Sequence, residues 1–71
     1  MGSVYKIVEL VGTSDSSWEE AAATAVATAG SSLRDLRIAQ VSELDMQLSE
    51  DGSVAVYRAK VKLSFKHEAS V

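Results

Sequence analysis

The residues most able to do chemistry are charged side chains that alternate along two segments in the second half of the chain. Glu43 and Asp45 are two residues apart, as are Arg58 and Lys60. Side chains two apart in an extended chain point the same way, so each segment presents a row of like charge on one face. Carboxylate oxygens are the ligands of hard cations such as calcium. Glu43 and Asp45 are therefore candidate metal ligands, with a plain solvated acidic face as the alternative because EF-hand spacing is absent.

Groups that would support catalysis are few. The sequence has no Cys, and its one His, His67, falls in a C-terminal stretch that we expect to be a frayed tail, residues 67–71. The serines lie in caps and turns without a base nearby in the pattern. Gly12-Thr13-Ser14 resembles an anion site at a helix N-terminus but lacks the glycines and lysine of a phosphate loop, which favours a capped turn. We predict that the protein is not an enzyme.

Four aromatic residues are available to stack a flat ligand: Tyr5, Trp18, Tyr57 and Phe65. Tyr57 and Phe65 share the apolar side of a predicted strand, and Trp18 belongs to an apolar helix stripe. Packing in the core is the predicted role of these three residues.

The composition predicts one small folded domain, residues 1–71, with 46% apolar and 24% charged residues. A net charge of -3 argues against a general nucleic-acid binder. We find no apolar run long enough for a membrane and no secretion signal, so the cytoplasm is the expected location. Without a disulfide or a zinc site to stabilise so small a core, self-association is expected.

The strongest periodic signal is the stretch Val54 to Lys66, which predicts a half-buried strand. One side of it is apolar: Ala55, Tyr57, Ala59, Val61, Leu63 and Phe65. The other side is mostly basic: Arg58, Lys60, Lys62, Ser64 and Lys66. At about 13 residues the strand is roughly twice the usual length, and the part beyond the domain body would need a partner.

The first half of the chain predicts a strand followed by a helix. The strand runs from Val4 to Val11 and is expected to end at Gly12. Either Ser16 with Glu19 or Ser17 with Glu20 matches the capping box of a helix that ends at about Gly30. The helix carries an apolar stripe made mostly of methyl groups, which we expect to pack on the last strand: Trp18, Ala21, Ala22, Ala25, Val26 and Ala29.

The remaining strand, Ile38 to Leu48, changes phase part of the way along. Ala39 and Val41 share one face while Leu44 and Met46 share the other, which indicates a bulge near Ser42 and Glu43 or a change of surroundings there. An Asp51-Gly52 turn then leads into the last strand. The order β-α-β-β predicts an α+β fold, a three-stranded antiparallel sheet with the third strand in the middle and one helix on one face.

The sequences V-Y-K-I-V-E-L-V-G-T-S at Val4 to Ser14 and Y-R-A-K-V-K-L-S-F at Tyr57 to Phe65, with Trp18, Ala21 and Ala22 between them, resemble the dodecins. The similarity extends from about Val4 to Lys66. It implies a hollow homododecamer that binds flavins such as riboflavin, lumichrome or FMN, and that stores or buffers them without catalysis.

The resemblance also implies a ligand pocket, in which a tryptophan stacks on the flavin while a glutamine and an acidic residue contact its polar edge. These positions correspond to Ile38, Arg58 and Glu43. The first two are changed, so we expect weakened flavin binding, with Arg58 favouring a phosphate-bearing flavin. The leading hypothesis is a storage shell with a degenerate flavin pocket.

The changed residues also look like a branch of dodecins described as calcium-binding. A calcium-binding dodecin without flavin, with Glu43 and Asp45 as ligands, is therefore the alternative. A third hypothesis is a purely structural assembly, in which a salt bridge between Arg58 and Glu43 fills the old pocket.

Overall fold

Four secondary structure elements follow one another in the predicted order. They are β1 (Val4–Ser14), α1 (Trp18–Gly30), β2 (Leu36–Leu48) and β3 (Val54–His67). The structure is a computed structural model and describes residues 2–67. His67 is the last residue of β3 and pairs with Val4, so its prediction as part of a frayed tail is wrong. The rest of that predicted tail, residues 68–71, lies outside the described residues.

The sheet has the order β1-β3-β2, and both of its strand pairs are antiparallel. The predicted fold class and the central position of the third strand are confirmed. In the turn before β3, Gly52 has a φ of 88°, the left-handed backbone that glycine adopts most readily. Beside it, the Asp51 carboxylate accepts hydrogen bonds from the Ser53 N–H (3.0 Å) and hydroxyl (2.6 Å).

The helix begins with a serine cap, as predicted. Ser17 is the N-cap, and its Oγ accepts a hydrogen bond of 3.0 Å from the Glu20 N–H, which is one half of the second predicted box. The Ser17 N–H donates to Ser14 and not to the Glu20 carboxylate. The buried Ser14 accepts from the N–H groups of Ser16 (2.9 Å) and Ser17 (3.3 Å). The Ser14 hydroxyl thus stabilises the turn between β1 and α1.

Gly12 does not end β1, contrary to the prediction, because the strand continues to Ser14. A Cβ atom at Gly12 would collide with the backbone oxygen of Ala21 and lie 3.0 Å from the Ala25 Cβ. The backbones of α1 and β1 therefore lie too close together here for any residue with a Cβ atom at position 12. The glycine is required by this contact and not by a turn.

A β-bulge at Ser42 accounts for the change of phase in β2. Val41 pairs with Val61, but Glu43 pairs with Lys60, so Ser42 has no residue opposite it. This outcome confirms the predicted bulge. The pairing shifts again between Leu36 and Ile38 and between Gln47 and Leu48. Past the bulge at Ser42, the apolar residues of β2 share a face with those that precede it.

The core is small and lies between the helix and the middle of the sheet. Its buried residues are Ala21, Ala25, Ala29, Ala59, Val61 and Leu63. Many large apolar side chains remain exposed on the protomer, among them Val4, Tyr5, Ile7, Val11, Ile38, Val41, Leu44, Met46 and Leu48. The protomer is elongated, measuring 57 × 20 × 15 Å. Within residues 2–67, no helix combines the length and the apolar character that crossing a membrane would require.

Candidate functional site

The predicted site residues lie on the outer face, which we define as the face of the sheet opposite α1. Val61 and Leu63 are buried against the helix, so the residues that alternate with them on β3 point away from it. Through the strand pairing, β2 contributes its own residues to the same face. They are Ile38 opposite Ser64, Glu43 opposite Lys60 and Asp45 opposite Arg58.

Two cross-strand ion pairs occupy the part of this face beyond the bulge. Arg58 donates to both carboxylate oxygens of Asp45, from Nε at 2.7 Å and from a terminal nitrogen at 2.8 Å. Lys60 Nζ lies 3.2 Å from the Glu43 carboxylate. The predicted pairing of Arg58 with Glu43 is therefore wrong. The bulge sets the register so that Glu43 lies opposite Lys60 and leaves Asp45 opposite Arg58.

The two ion pairs favour the charged forms of Asp45, Arg58 and Lys60. Hydrogen bonding from Arg58 lowers the pKa of Asp45 below its ordinary value of 3.8, and the same contact raises the pKa of Arg58. The hydrogen bond to Glu43 is the largest of the effects that raise the pKa of Lys60, with a smaller contribution from Glu9. Because these groups are largely exposed, water and salt screen their attraction, and a competing ion can reach them.

The two candidate metal ligands, Glu43 and Asp45, do share one face. Calcium takes six to eight oxygen ligands. Within residues 2–67 the structure groups no three acidic or histidine side chains around a common point. One protomer therefore offers only part of a calcium coordination sphere at this face.

The three candidate flavin contacts do not meet within one protomer. Ile38 is 60% exposed and pairs with Ser64, six residues along β3 from Arg58. At the rise of an extended chain, six residues correspond to about 20 Å. Glu43 lies between them, opposite Lys60. A ligand touching Ile38 and Arg58 together would need side chains from more than one copy.

Trp18 contacts this site from the other side of the sheet, which sequence reasoning missed. Its indole Nε1 donates a hydrogen bond of 2.9 Å to the backbone oxygen of Asp45. Its ring meets Tyr57 edge to face, with centroids 5.2 Å apart. Helical periodicity predicted only the apolar role of Trp18, since a bond to a residue 27 positions away leaves no local signal. An open apolar groove of about 500 Å³ lies next to it, lined by Trp18, Glu19, Ala22, Val41 and Leu44.

Comparison with known proteins identifies the family to which this fold and this sequence belong. The model of the Dodecin family matches residues 4–68. The chain belongs to the dodecin family. Two curated relatives align with nearly all of this dodecin. It is 48% identical over 64 residues to the calcium dodecin of Mycobacterium tuberculosis, an alignment that covers 90% of the chain and 89% of the relative.

The second relative is the dodecin of Thermus thermophilus, 41% identical over 68 residues, with 96% of the chain and 97% of the relative covered. Among solved structures, the calcium-chelating dodecin of M. tuberculosis, which has a calcium-binding site, matches this dodecin with a TM-score of 0.82 at 46% identity, and the match covers 97% of each chain. The dodecin of Streptomyces coelicolor gives a TM-score of 0.88 at 34% identity and 96% coverage of each.

Proposed function

We propose that this dodecin is a non-enzymatic binding and storage protein that assembles as a homododecameric shell, with calcium as its preferred ligand. The assembly explains why a chain with so few buried residues leaves so many large apolar side chains exposed. It also supplies the several copies that a complete ligand site on the outer face requires.

The observation that carries the choice of ligand is the bidentate contact between Arg58 and Asp45. It places a neutralised cation where the resemblance to flavin-binding dodecins implies an amide. Ile38 is an aliphatic side chain where the same resemblance implies an aromatic plane. Both changes remove interactions with an isoalloxazine ring, whereas the Asp45 carboxylate oxygens that Arg58 occupies become cation ligands when the ion pair opens. Similarity to a relative named calcium dodecin supports the same choice.

In this proposal calcium competes with Lys60 and Arg58 for the carboxylates of Glu43 and Asp45. The ion pairs are exposed, so exchanging a cationic side chain for a metal ion costs little desolvation. Carboxylates of a neighbouring copy, with water, complete the coordination. The net charge of -3 per chain makes an assembled shell strongly acidic and raises the local concentration of cations.

The experiment is a titration of the purified full chain with calcium, riboflavin and FMN, with the particle mass measured by light scattering. We expect a dodecameric mass and a melting temperature that rises with calcium and returns on chelation. A ligand at one hundred times its Kd adds about 2.7 kcal/mol of stability. Tight quenching of flavin fluorescence would instead favour flavin as the ligand. A monomeric mass would contradict the proposal.

Matched variants locate the site. Glu43→Gln with Asp45→Asn should abolish the calcium response. Glu20→Gln with Glu50→Gln removes the same charge elsewhere and should retain the response. A double variant that loses no calcium binding would exclude Glu43 and Asp45 as ligands.

Flavin binding is the second candidate, because the outer face still presents the exposed apolar Ile38. The variant Ile38→Trp with Arg58→Gln introduces the two residue types that the resemblance implies for a flavin pocket. We expect it to quench riboflavin fluorescence at concentrations that leave the native chain without effect. Equal quenching by both proteins would mean that the native residues already form a working flavin pocket.

A further inference from the structure

Trp18 contacts both β2 and β3 next to the ion pair of Arg58 with Asp45. Its Nε1 holds the backbone oxygen of Asp45, and its ring contacts Tyr57, the residue before Arg58. Both members of the ion pair are thus restrained by one side chain, which comes from the first turn of α1.

Apart from its pairing with β3, the segment of β2 that carries Asp45 makes few contacts with the rest of the protomer. It follows the bulge at Ser42, and β2 is an edge strand that pairs only with β3. Leu44 and Met46 on either side of Asp45 are 52% and 44% exposed in the single protomer, so side-chain packing within the protomer does not fix this segment. A buried strand is held by its neighbours on both faces, whereas this one depends on individual contacts.

We infer that Trp18 is a positioning residue for the outer face, and that its indole N–H, by holding the Asp45 backbone, keeps the Asp45 carboxylate on Arg58. The consequence for the ligand rests on the proposed function. If calcium competes with Arg58 for Asp45, the Trp18 hydrogen bond lowers the affinity for calcium, because it favours the competing ion pair.

The test replaces the indole N–H by sulfur. Trp18 is the only tryptophan of the chain, so incorporating 3-benzothienylalanine in place of tryptophan changes this position alone and keeps the ring against Tyr57. Arginine labelled with ¹⁵N gives one Nε–H signal for each of Arg34, Arg37 and Arg58. We expect the Arg58 Nε–H of the full assembly to exchange with water at least about threefold faster than in the native protein, as for the loss of one ordinary hydrogen bond.

Arg37 is the internal control, since its own contact with Asp35 is remote in sequence from Trp18. Its exchange rate should not change. Unchanged exchange at Arg58 would overturn the inference. If the substituted chain does not assemble, the exchange of the Trp18 indole N–H with water is measured in the native protein. An indole N–H that exchanges as fast as an exposed one makes no hydrogen bond, and that result would overturn the positioning role.

A calcium titration of the same two proteins separates the inference from the proposed function. We expect calcium to bind about threefold more tightly to the substituted protein, the counterpart of a weakened ion pair. Faster exchange at Arg58 with no calcium binding to either protein would support the positioning role and contradict calcium as the ligand. Faster exchange with weaker calcium binding would overturn the competition between Arg58 and the metal.

Discussion

Residues directly opposite each other on β2 and β3 have different surroundings. Val61 is fully buried, whereas its partner Val41 is 47% exposed. Ala59 is fully buried, whereas its partner Leu44 is 52% exposed. These residues share one face of one sheet and differ only by one strand spacing, about 4.8 Å.

The difference arises from the position of α1, which packs mainly across β1 and β3. Its buried residues are all alanines, so the helix lies close to the sheet and does not extend over β2. Periodicity along a strand therefore identifies which side chains face the helix, but position across the sheet decides which of them are buried. β1 and β3 form the protomer's core with the helix, and the helix leaves β2 uncovered.

The largest expected effect on stability comes from a substitution that separates α1 from β1 and β3. Gly12→Ala places a methyl group against the Ala21 backbone oxygen, which cannot move without shifting α1. We expect a loss of about 3 kcal/mol or more in the free energy of unfolding, measured by denaturant titration followed by circular dichroism.

Gly30→Ala is the matched control, because its new methyl group would meet only Leu36, at 4.0 Å. It should be neutral or slightly stabilising, since alanine is the better helix former. A Gly12→Ala protein as stable as this control would mean that the close contact of α1 and β1 is not needed.

Truncating a leucine to alanine should have different effects on β3 and on β2. Leu63→Ala removes a side chain that is 1% exposed and should cost about 2–5 kcal/mol of protomer stability. Leu44→Ala removes one that a single chain leaves half exposed. If the chain assembles as proposed, we expect the effect to fall on association instead. Light scattering should then show the Leu44→Ala assembly dissociating at a higher protein concentration than the native one. Equal unfolding costs for both, without dissociation, would contradict the contrast between β2 and β3.

The smallest expected effect is at the exposed Arg58 ion pair. Its attraction makes the pKa of Asp45 lower in the folded chain than in the unfolded one. This contribution to stability is therefore complete above the ordinary pKa of 3.8 and is lost as the pH falls below 3.8 through the lowered value. In Arg58→Gln we expect the Asp45 pKa to rise toward 3.8 and the acid unfolding midpoint to move slightly to higher pH.

An NMR titration of the carboxyl groups measures this change, and Asp51 provides the control. The pKa of Asp51 is lowered by hydrogen bonds from Ser53, so it should respond to Ser53→Ala and not to Arg58→Gln. An Asp45 pKa that Arg58→Gln leaves unchanged would mean that the ion pair is absent in solution.

Most of the fold was predictable from sequence because its signals are local. Alternation identified β3, and the phase change identified the bulge at Ser42. The role of Gly12 was not predictable, because strand-ending and close-contact glycines look alike in sequence. The sequence left open whether the surroundings of β2 change along it, and its exposure depends on the lateral position of a helix of small residues.

The placement of the candidate residues on strands was predictable, but their pairing was not. Alternating charges placed Glu43, Asp45 and Arg58 on strands. The choice of partner for Arg58 depends on the register past the bulge, which sequence alone leaves open by one residue. The contact of Trp18 with Asp45 is a tertiary contact between distant segments and has no sequence signature.

The bulge at Ser42 also bears on how the gene can vary in length. The extra residue shifts the alternation of β2 by one position. Beyond it, the acidic side chains lie on the outer face and the apolar ones on the face toward α1. An in-frame deletion of the Ser42 codon would either exchange these two surfaces or force β2 to slip along β3. In this segment a change of one residue in length should therefore be tolerated less well than most changes of residue type.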